Sequence, residues 1–233
     1  MKRTLFPRTL LSNGTFSRHV IASALLAFAP AAVFAQAAPA KAKPAATTTQ
    51  GTPSQLVLSN ATRIVNTLEA RRDEFKKNPA ALNKFVSGEF NAMFDRSYAG
   101  RLVLGRHGRG ASDADVKLFA DALADSLMSR YGSSLLGFDS QLKVRVKSET
   151  PLRGGAIVKV ASEFLRSGGE PIPVDYLMRK NGSNWKVFDV MVEGVSFVQT
   201  FRSQFDAPLS RKTIPQVAAD IRAGKLQADA STD

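Results

Sequence analysis

Asp189 is the residue that most invites a chemical role. It interrupts the apolar run Trp185–Val192, and a carboxylate held among apolar neighbours has its pKa raised toward the range of a general base. Such a base needs a second carboxylate or a tyrosine converging on the same substrate, a convergence that only the folded chain can display. The competing reading is structural: Asp189 caps a turn or pairs with an arginine such as Arg202. Nucleophilic and metal chemistry have less to work with. The chain has no cysteine, which excludes thiolate catalysis, disulfides and cysteine-based metal sites. Its two histidines are His19 and His107, so a Ser-His-Asp triad would have to use His107, and no multi-histidine metal site can be built. Arg106-His107-Gly108-Arg109-Gly110 is a basic, glycine-containing loop able to hold an anion, without the spacing of a phosphate loop.

The element that must position Asp189 is the stretch Trp185–Phe205. It opens as a strand with apolar residues on both parities, Trp185, Val187 and Met191 on one and Phe188, Val190 and Val192 on the other. Both faces of such a strand are expected to be covered. Glu193-Gly194-Val195 turns the chain, and Ser196 is placed to N-cap a helix. Phe197, Phe201 and Phe205 follow at i, i+4 and i+8 and so form one aromatic stripe. The stripe reads first as core, and equally well as one wall of an apolar cavity.

Upstream of it the pattern is helical. Leu58, Ala61, Ile64, Val65, Leu68 and Phe75 recur at steps of three and four from Gln55 onward. Asn78-Pro79 stops that helix and starts a second, with Leu82, Phe85, Val86, Phe90, Met93 and Phe94. A third covers Arg96–Leu104, with Tyr98, Leu102 and Leu104, and ends at Gly105. Ser112-Asp113-Ala114-Asp115 resembles a capping box with Asp in place of Glu. It opens a long fourth helix carrying Val116, Phe119, Leu123, Leu127 and Tyr131 and ending at Leu135-Leu136-Gly137.

The period then changes. Leu142, Val144 and Val146 alternate with Lys143, Arg145 and Lys147, a strand with one wet face. Arg153-Gly154-Gly155, Gly168-Gly169 and Asn181-Gly182 mark the turns around Ala156–Arg166 and Ile172–Arg179. With the Trp185 strand this makes a four-stranded antiparallel meander, and Ile214–Gly224 adds a short terminal helix with Val217 and Ile221 inward. The expected fold is α+β: N-terminal helices packed on a curved four-stranded antiparallel sheet, a cone with an apolar cavity between its layers.

The N-terminus belongs to no such fold. Lys2, Arg3, Arg8 and Arg18 precede the apolar run Val20–Phe34, and Val33-Phe34-Ala35 offers small residues at the −3 and −1 positions of a cleavage site. Residues 1–35 therefore read as a secretory signal peptide. The run is short and broken by Pro30, which argues against an uncleaved anchor. A mitochondrial presequence, suggested by the absence of acids before Glu69, is disfavoured by the compact apolar block. Residues 36–54 are an Ala/Pro/Thr-rich disordered linker, residues 55–224 the folded domain, and residues 225–233 a flexible tail. Removing the four signal-peptide cations from 32 Lys and Arg leaves 28 against 20 acids, a mature net charge of +8. A basic exported protein meets anionic lipid surfaces or acidic partners. Nucleic acid is disfavoured by compartment and by the lack of a basic stripe with interleaved aromatics.

Several runs, taken together and in order, resemble the MlaC family of exported phospholipid carriers, also called toluene-tolerance proteins. They are Leu102-Val103-Leu104-Gly105, Ala111-Ser112 followed by Phe119, Ser129-Arg130-Tyr131, Pro173-Val174-Asp175-Tyr176 and Trp185-Lys186-Val187-Phe188-Asp189-Val190. The most specific are Val192-Glu193-Gly194-Val195-Ser196 and Phe201-Arg202-Ser203-Gln204-Phe205. The resemblance spans Gln55–Gly224. One departure stands out: where the family carries an aromatic followed by arginine after Leu-Gly, this chain reads Arg106-His107-Gly108-Arg109, making His107 a surface substitute.

The resemblance implies a periplasmic phospholipid carrier, without enzymatic activity or cofactor, the phospholipid being cargo. It would work as a monomer between an outer-membrane lipoprotein–porin complex and an inner-membrane ABC transporter, maintaining outer-membrane lipid asymmetry. A closed cavity suits such cargo: at about 0.8 kcal/mol per buried methylene, two chains of about sixteen carbons avoid water by on the order of 20 kcal/mol. The residues expected to line it are Tyr176, Val187, Phe188, Val190, Phe197 and Phe201 on the sheet and following helix. Phe90, Phe94, Leu102, Phe119 and Leu123 close the other side, with half of the set touching acyl chains because strand parity is open. Two alternatives stand beside this. One is an enzyme on the same cone, as in domains of the nuclear-transport-factor type that host isomerases, with Asp189 as base. The other is a structural envelope protein binding partners through a basic surface that includes Arg106–Arg109, Lys143, Arg145 and Lys147.

Overall fold

The computed structural model describes residues 51–131, 136, 142–166 and 168–229; the proposed signal peptide and most of the linker lie outside them. Helix α1 (Pro53–Ala70) starts in a full capping box between Thr52 and Gln55 with Pro53 in its first turn. Three residues of the expected linker are therefore the start of the domain. The periodicity predicted one helix through Phe75. Instead the chain kinks at Arg71 (φ −110°, ψ 18°) and continues as α2 (Arg72–Lys77). The kink seats Phe75, fully buried, against Phe85 at 5.6 Å. Helix α3 (Pro79–Met93) begins at the proline with the Asn78 side chain accepting from Ala81 N, and α4 (Arg96–Leu104) is capped by Asp95. A short 3-10 turn spans Gly105–Gly108. In α5 (Asp113–Tyr131) the Ser112 hydroxyl accepts from Asp115 N at 3.1 Å; most of the expected end at 135–137 lies outside the described residues.

The C-terminal half is an antiparallel meander of β1 (Lys143–Leu152), β2 (Ile157–Leu165), β3 (Ile172–Asn181), β4 (Asn184–Val192) and β5 (Val195–Ser196), in sequential order. The sheet curls without closing. The expected four strands are present, and a fifth of two residues folds back on β4. The tight turn Glu193-Gly194, both residues with positive φ, makes that return, and it pairs Val192 with Val195. Along β3 burial alternates as the period of two requires: Ile172, Val174, Tyr176 and Met178 are inside.

Strand β4 does not alternate, and the cause is a bulge. Met178 faces Val187, but the preceding residue of β3, Leu177, faces Asp189, so Phe188 is the extra residue. Because cross-strand partners share a face, Val187 before the bulge and Val190 and Val192 after it all lie on the packed face. Helix α1 lies along β1 and β2, and α4 and α6 (Phe197–Leu209) lie against β4. Helix α5 packs on α4, with α7 (Ile214–Arg222) on the outside of α5. The structure differs from the sequence expectation at the C-terminal edge: residues 225–229 are held, not loose. Ala228 is fully buried, and Asp229 takes hydrogen bonds from Tyr131 Oη (2.9 Å) and Arg130.

Candidate functional site

Where α3, α4, α5, α6 and β4 converge they leave a cleft of about 60 Å³, the space of roughly two water molecules. Its floor is β4 at the bulge, with Phe188, Asp189 and Val190, and one wall is the first two turns of α6, with Phe197, Val198 and Phe201. Opposite stand Phe90 and Phe94 from the end of α3, and Ala99, Gly100 and Val103 from α4. Ala120, Leu123, Ala124 and Leu127 of α5 close the back. Arg96 and Asp189 are the two charged side chains among the described residues of this lining. The aromatic rings hold one another: Phe90 on Phe94 at 4.2 Å, Phe197 on Phe201 at 5.9 Å, and Tyr98 edge-on to Phe188 at 5.2 Å.

Seven of the residues expected from sequence line this cleft: Phe90, Phe94, Leu123, Phe188, Val190, Phe197 and Phe201. Leu102, Phe119, Tyr176 and Val187 are not part of the lining. On α4 the lining positions are 96, 99, 100 and 103, a helical stripe, and Leu102 falls beside it, packed on the core. Phe119 shares a stripe with Leu123 and Leu127 but sits one turn earlier, where it meets Phe205 edge-on at 5.5 Å. Tyr176 and Val187 are fully buried in the sheet's packed face. Burial pushes the Tyr176 phenol, beside Ser162, well above its ordinary value. The Val187 carbonyl accepts from Asp95 N at 2.8 Å, which ties the start of α4 to β4.

Sequence reasoning missed the small residues. A Cβ at Gly100 would lie 2.8 Å from Ala120 Cβ, so α4 and α5 touch nearly backbone to backbone here. That closeness is what lets Ala99, Gly100, Ala120 and Ala124 serve as cleft surface. A small residue recurring at helical spacing (Ala120, Ala124) and at the facing point of α4 (Gly100) was the available signal.

Asp189 braces the N-terminus of α6, whose cap is Ser196. Its Oδ1 accepts from Val198 N at 3.0 Å and its Oδ2 from the Ser196 hydroxyl at 2.6 Å, while Ser196 Oγ accepts from Gln199 N at 3.1 Å. The carboxylate thus meets the positive end of the helix. Burial is the larger influence, and it holds the Asp189 carboxyl above its ordinary value against these hydrogen bonds. Both of its oxygens are engaged in holding α6, and the lining places no second carboxylate or tyrosine beside it. Arg202, the arginine partner considered for it, instead packs over Gly105, where a Cβ would meet its Nε at 2.6 Å.

Four of the basic residues named as a partner surface, Arg106, His107, Arg145 and Lys147, pair with carboxylates of the fold. Glu163 takes Arg145 and Lys147 at 2.6 Å each. Asp206 takes Arg106 at 2.8 Å and His107 Nε2 at 2.9 Å. His107 is not a surface substitute: it is 17% exposed and latches the 3-10 turn to α6. No cluster of metal-ligating side chains occurs among the described residues, and no described helix is long and apolar enough to cross a membrane.

The chain is 27% identical over 199 residues to the toluene tolerance protein Ttg2D of Pseudomonas putida, covering 82% of this chain and 91% of that protein. Its fold matches a phospholipid-binding protein from Ralstonia solanacearum, solved in complex with a phospholipid, with a TM-score of 0.60 at 21% identity over 69% of this chain and 91% of that one. Residues 59–223, which run from within α1 to just past the end of α7, match the MlaC protein family, and the chain belongs to it.

Proposed function

We propose that this protein is a phospholipid carrier, and that the cleft between β4, α6 and the α3–α5 helices is where the acyl chains enter. The observation that carries the reading is the cleft's lining: five phenylalanines around a floor and walls of small and aliphatic side chains, with only two charged groups. Such a surface offers little to a wholly polar substrate and a great deal to a hydrocarbon chain. At about 60 Å³ it is far below the roughly 300–1,000 Å³ of ordinary ligand sites. Loading therefore separates the α6 wall from α4 and α5 and swings the stacked phenylalanines apart.

The family and its phospholipid-binding relative support the cargo. The cluster of cations before an apolar run at residues 2–34 supports export to the periplasm. There the protein would shuttle lipid between an outer-membrane lipoprotein–porin complex and an inner-membrane ABC transporter as a monomer, maintaining outer-membrane lipid asymmetry. It would do so without catalysis or nucleic acid. The engagement of Asp189 in bracing α6 supports a carrier over a base-catalysed isomerase. Organic extraction of the exported, purified protein tests the reading. About one phospholipid equivalent per chain is expected. Protein that arrives free of lipid and takes none from phospholipid vesicles would remove the basis for it.

A further inference from the structure

Arg96 is the cation of the cleft lining, and its hydrogen bonding is incomplete. It is the first residue of α4, fixed there by the Asp95 cap. Its Nη1 donates to Asn91 Oδ1 at 2.6 Å, and its Nη2 lies 2.9 Å from Asp121 and 4.0 Å from Asp125. Its Nε is buried and has no hydrogen-bond partner. The guanidinium stands over the Phe90 ring at 5.9 Å, on the same lining as Phe94, Phe188 and Phe201. A buried donor without an acceptor is a cost the fold tolerates where something else satisfies it. An arginine whose Nη1 and Nη2 are already engaged has its Nε–H left to donate, and a charge-assisted hydrogen bond to an oxyanion is the strongest use of it.

From this placement we infer that Arg96 is the phosphate-binding residue of the cleft: its Nε edge receives the phosphodiester oxygen of the cargo lipid while the acyl chains lie on the phenylalanines. This rests on the carrier reading above. The phosphodiester is common to glycerophospholipids of every headgroup, so Arg96 selects for phospholipid over neutral lipid and not among phospholipids. Asp121 is the counterweight. It holds the fork in place and also competes with the phosphate for it.

The test compares two fluorescent lipids with identical acyl chains, a phosphatidylglycerol and the matching diacylglycerol, on delipidated full domain. Arg96→Gln is expected to weaken phosphatidylglycerol binding by about tenfold, the scale of one charge-assisted hydrogen bond, and to leave diacylglycerol binding within twofold. Asp121→Asn, which keeps Arg96, is expected to strengthen phosphatidylglycerol binding and again spare diacylglycerol. Equal losses for both lipids in Arg96→Gln would make the residue a scaffold element and overturn the assignment. So would unchanged affinities in both variants. Displacement of the lipid by millimolar inorganic phosphate would place a free-anion site here instead and overturn the headgroup assignment. Wild-type protein that binds diacylglycerol and phosphatidylglycerol alike contradicts the role of Arg96 while leaving the carrier reading intact, whereas protein that binds neither contradicts both.

Discussion

Two carboxylates show how single residues set the fold's response to pH, and they do so with opposite signs. Burial raises the Asp189 carboxyl, so between the ordinary and the raised value the folded chain holds a proton that the unfolded chain has lost. Stability from this group is full at pH below the ordinary carboxylate range and declines as pH rises toward the folded value. In Asp189→Asn that decline disappears, but one of the two donors, Ser196 Oγ or Val198 N, loses its acceptor. The variant should be less stable by about 1–3 kcal/mol in acid, with the gap to wild type narrowing as pH rises, as followed by denaturant unfolding across pH. Its lipid should remain bound; loss of function with lipid still in place would restore the base reading. Asp206 runs the other way: the hydrogen bond from His107 and the charge of Arg106 hold its carboxyl below the ordinary value. That stabilisation is present above the ordinary carboxylate range and lost as pH falls through the depressed value. Asp206→Asn should therefore flatten the acid side of the thermal stability profile. The roles of both residues depend on contacts across turns. Sequence could name Ser196 as the cap of α6, and so place Asp189 near it. Nothing local could join His107 to a residue 99 positions away.

Among the elements, β4 is where sequence reading and structure part most instructively. Alternate apolar residues predicted both parities covered but could not tell which one faces inward. A single extra residue, Phe188, moves the packed face from Val187 to Val190. No periodicity signal survives such a shift, so the side that β4 turns to the cleft at Phe188 and Asp189 is not legible from alternation. The helices are more legible because their stripes run over many turns, and Leu102 and Phe119 fall outside the cleft lining by only one position or one turn. The distinction between cleft and core is testable. Phe119→Ala and Phe201→Ala should each cost about 3–5 kcal/mol in unfolding experiments. Only Phe201→Ala should also change how tightly extracted and re-added lipid is held. The close approach of α4 and α5 gives a further outcome. Gly100→Val places branched carbons where one Cβ already meets Ala120 at 2.8 Å, and the overpacking should destabilise the domain by about 1–3 kcal/mol.

On the scale of the whole molecule, the α+β class, the meander order and the enclosing of an apolar space between sheet and helices all follow from where the apolar residues fall along the chain. The size of that space does not, because it depends on how closely small residues such as Gly100, Ala120 and Ala124 let helices approach. Nor does net charge show how the cations are arranged: Arg145 and Lys147 of β1 pair with Glu163, and Arg106 of the 3-10 turn pairs with Asp206. On the proposed reading, the phenylalanines of α3, β4 and α6 meet at a cleft that would have to widen to admit an acyl chain. The direct test is to place the photoreactive analogue p-benzoylphenylalanine at position 188 or 201, in the cleft, and at position 85, in the separate Phe75–Phe85 cluster. Irradiated protein loaded from phospholipid vesicles is then read by mass spectrometry. Phospholipid adducts at 188 and 201 and none at 85 are predicted. Adducts at 85 alone, or equal labelling at all three, would contradict the assignment of the cleft as the lipid site.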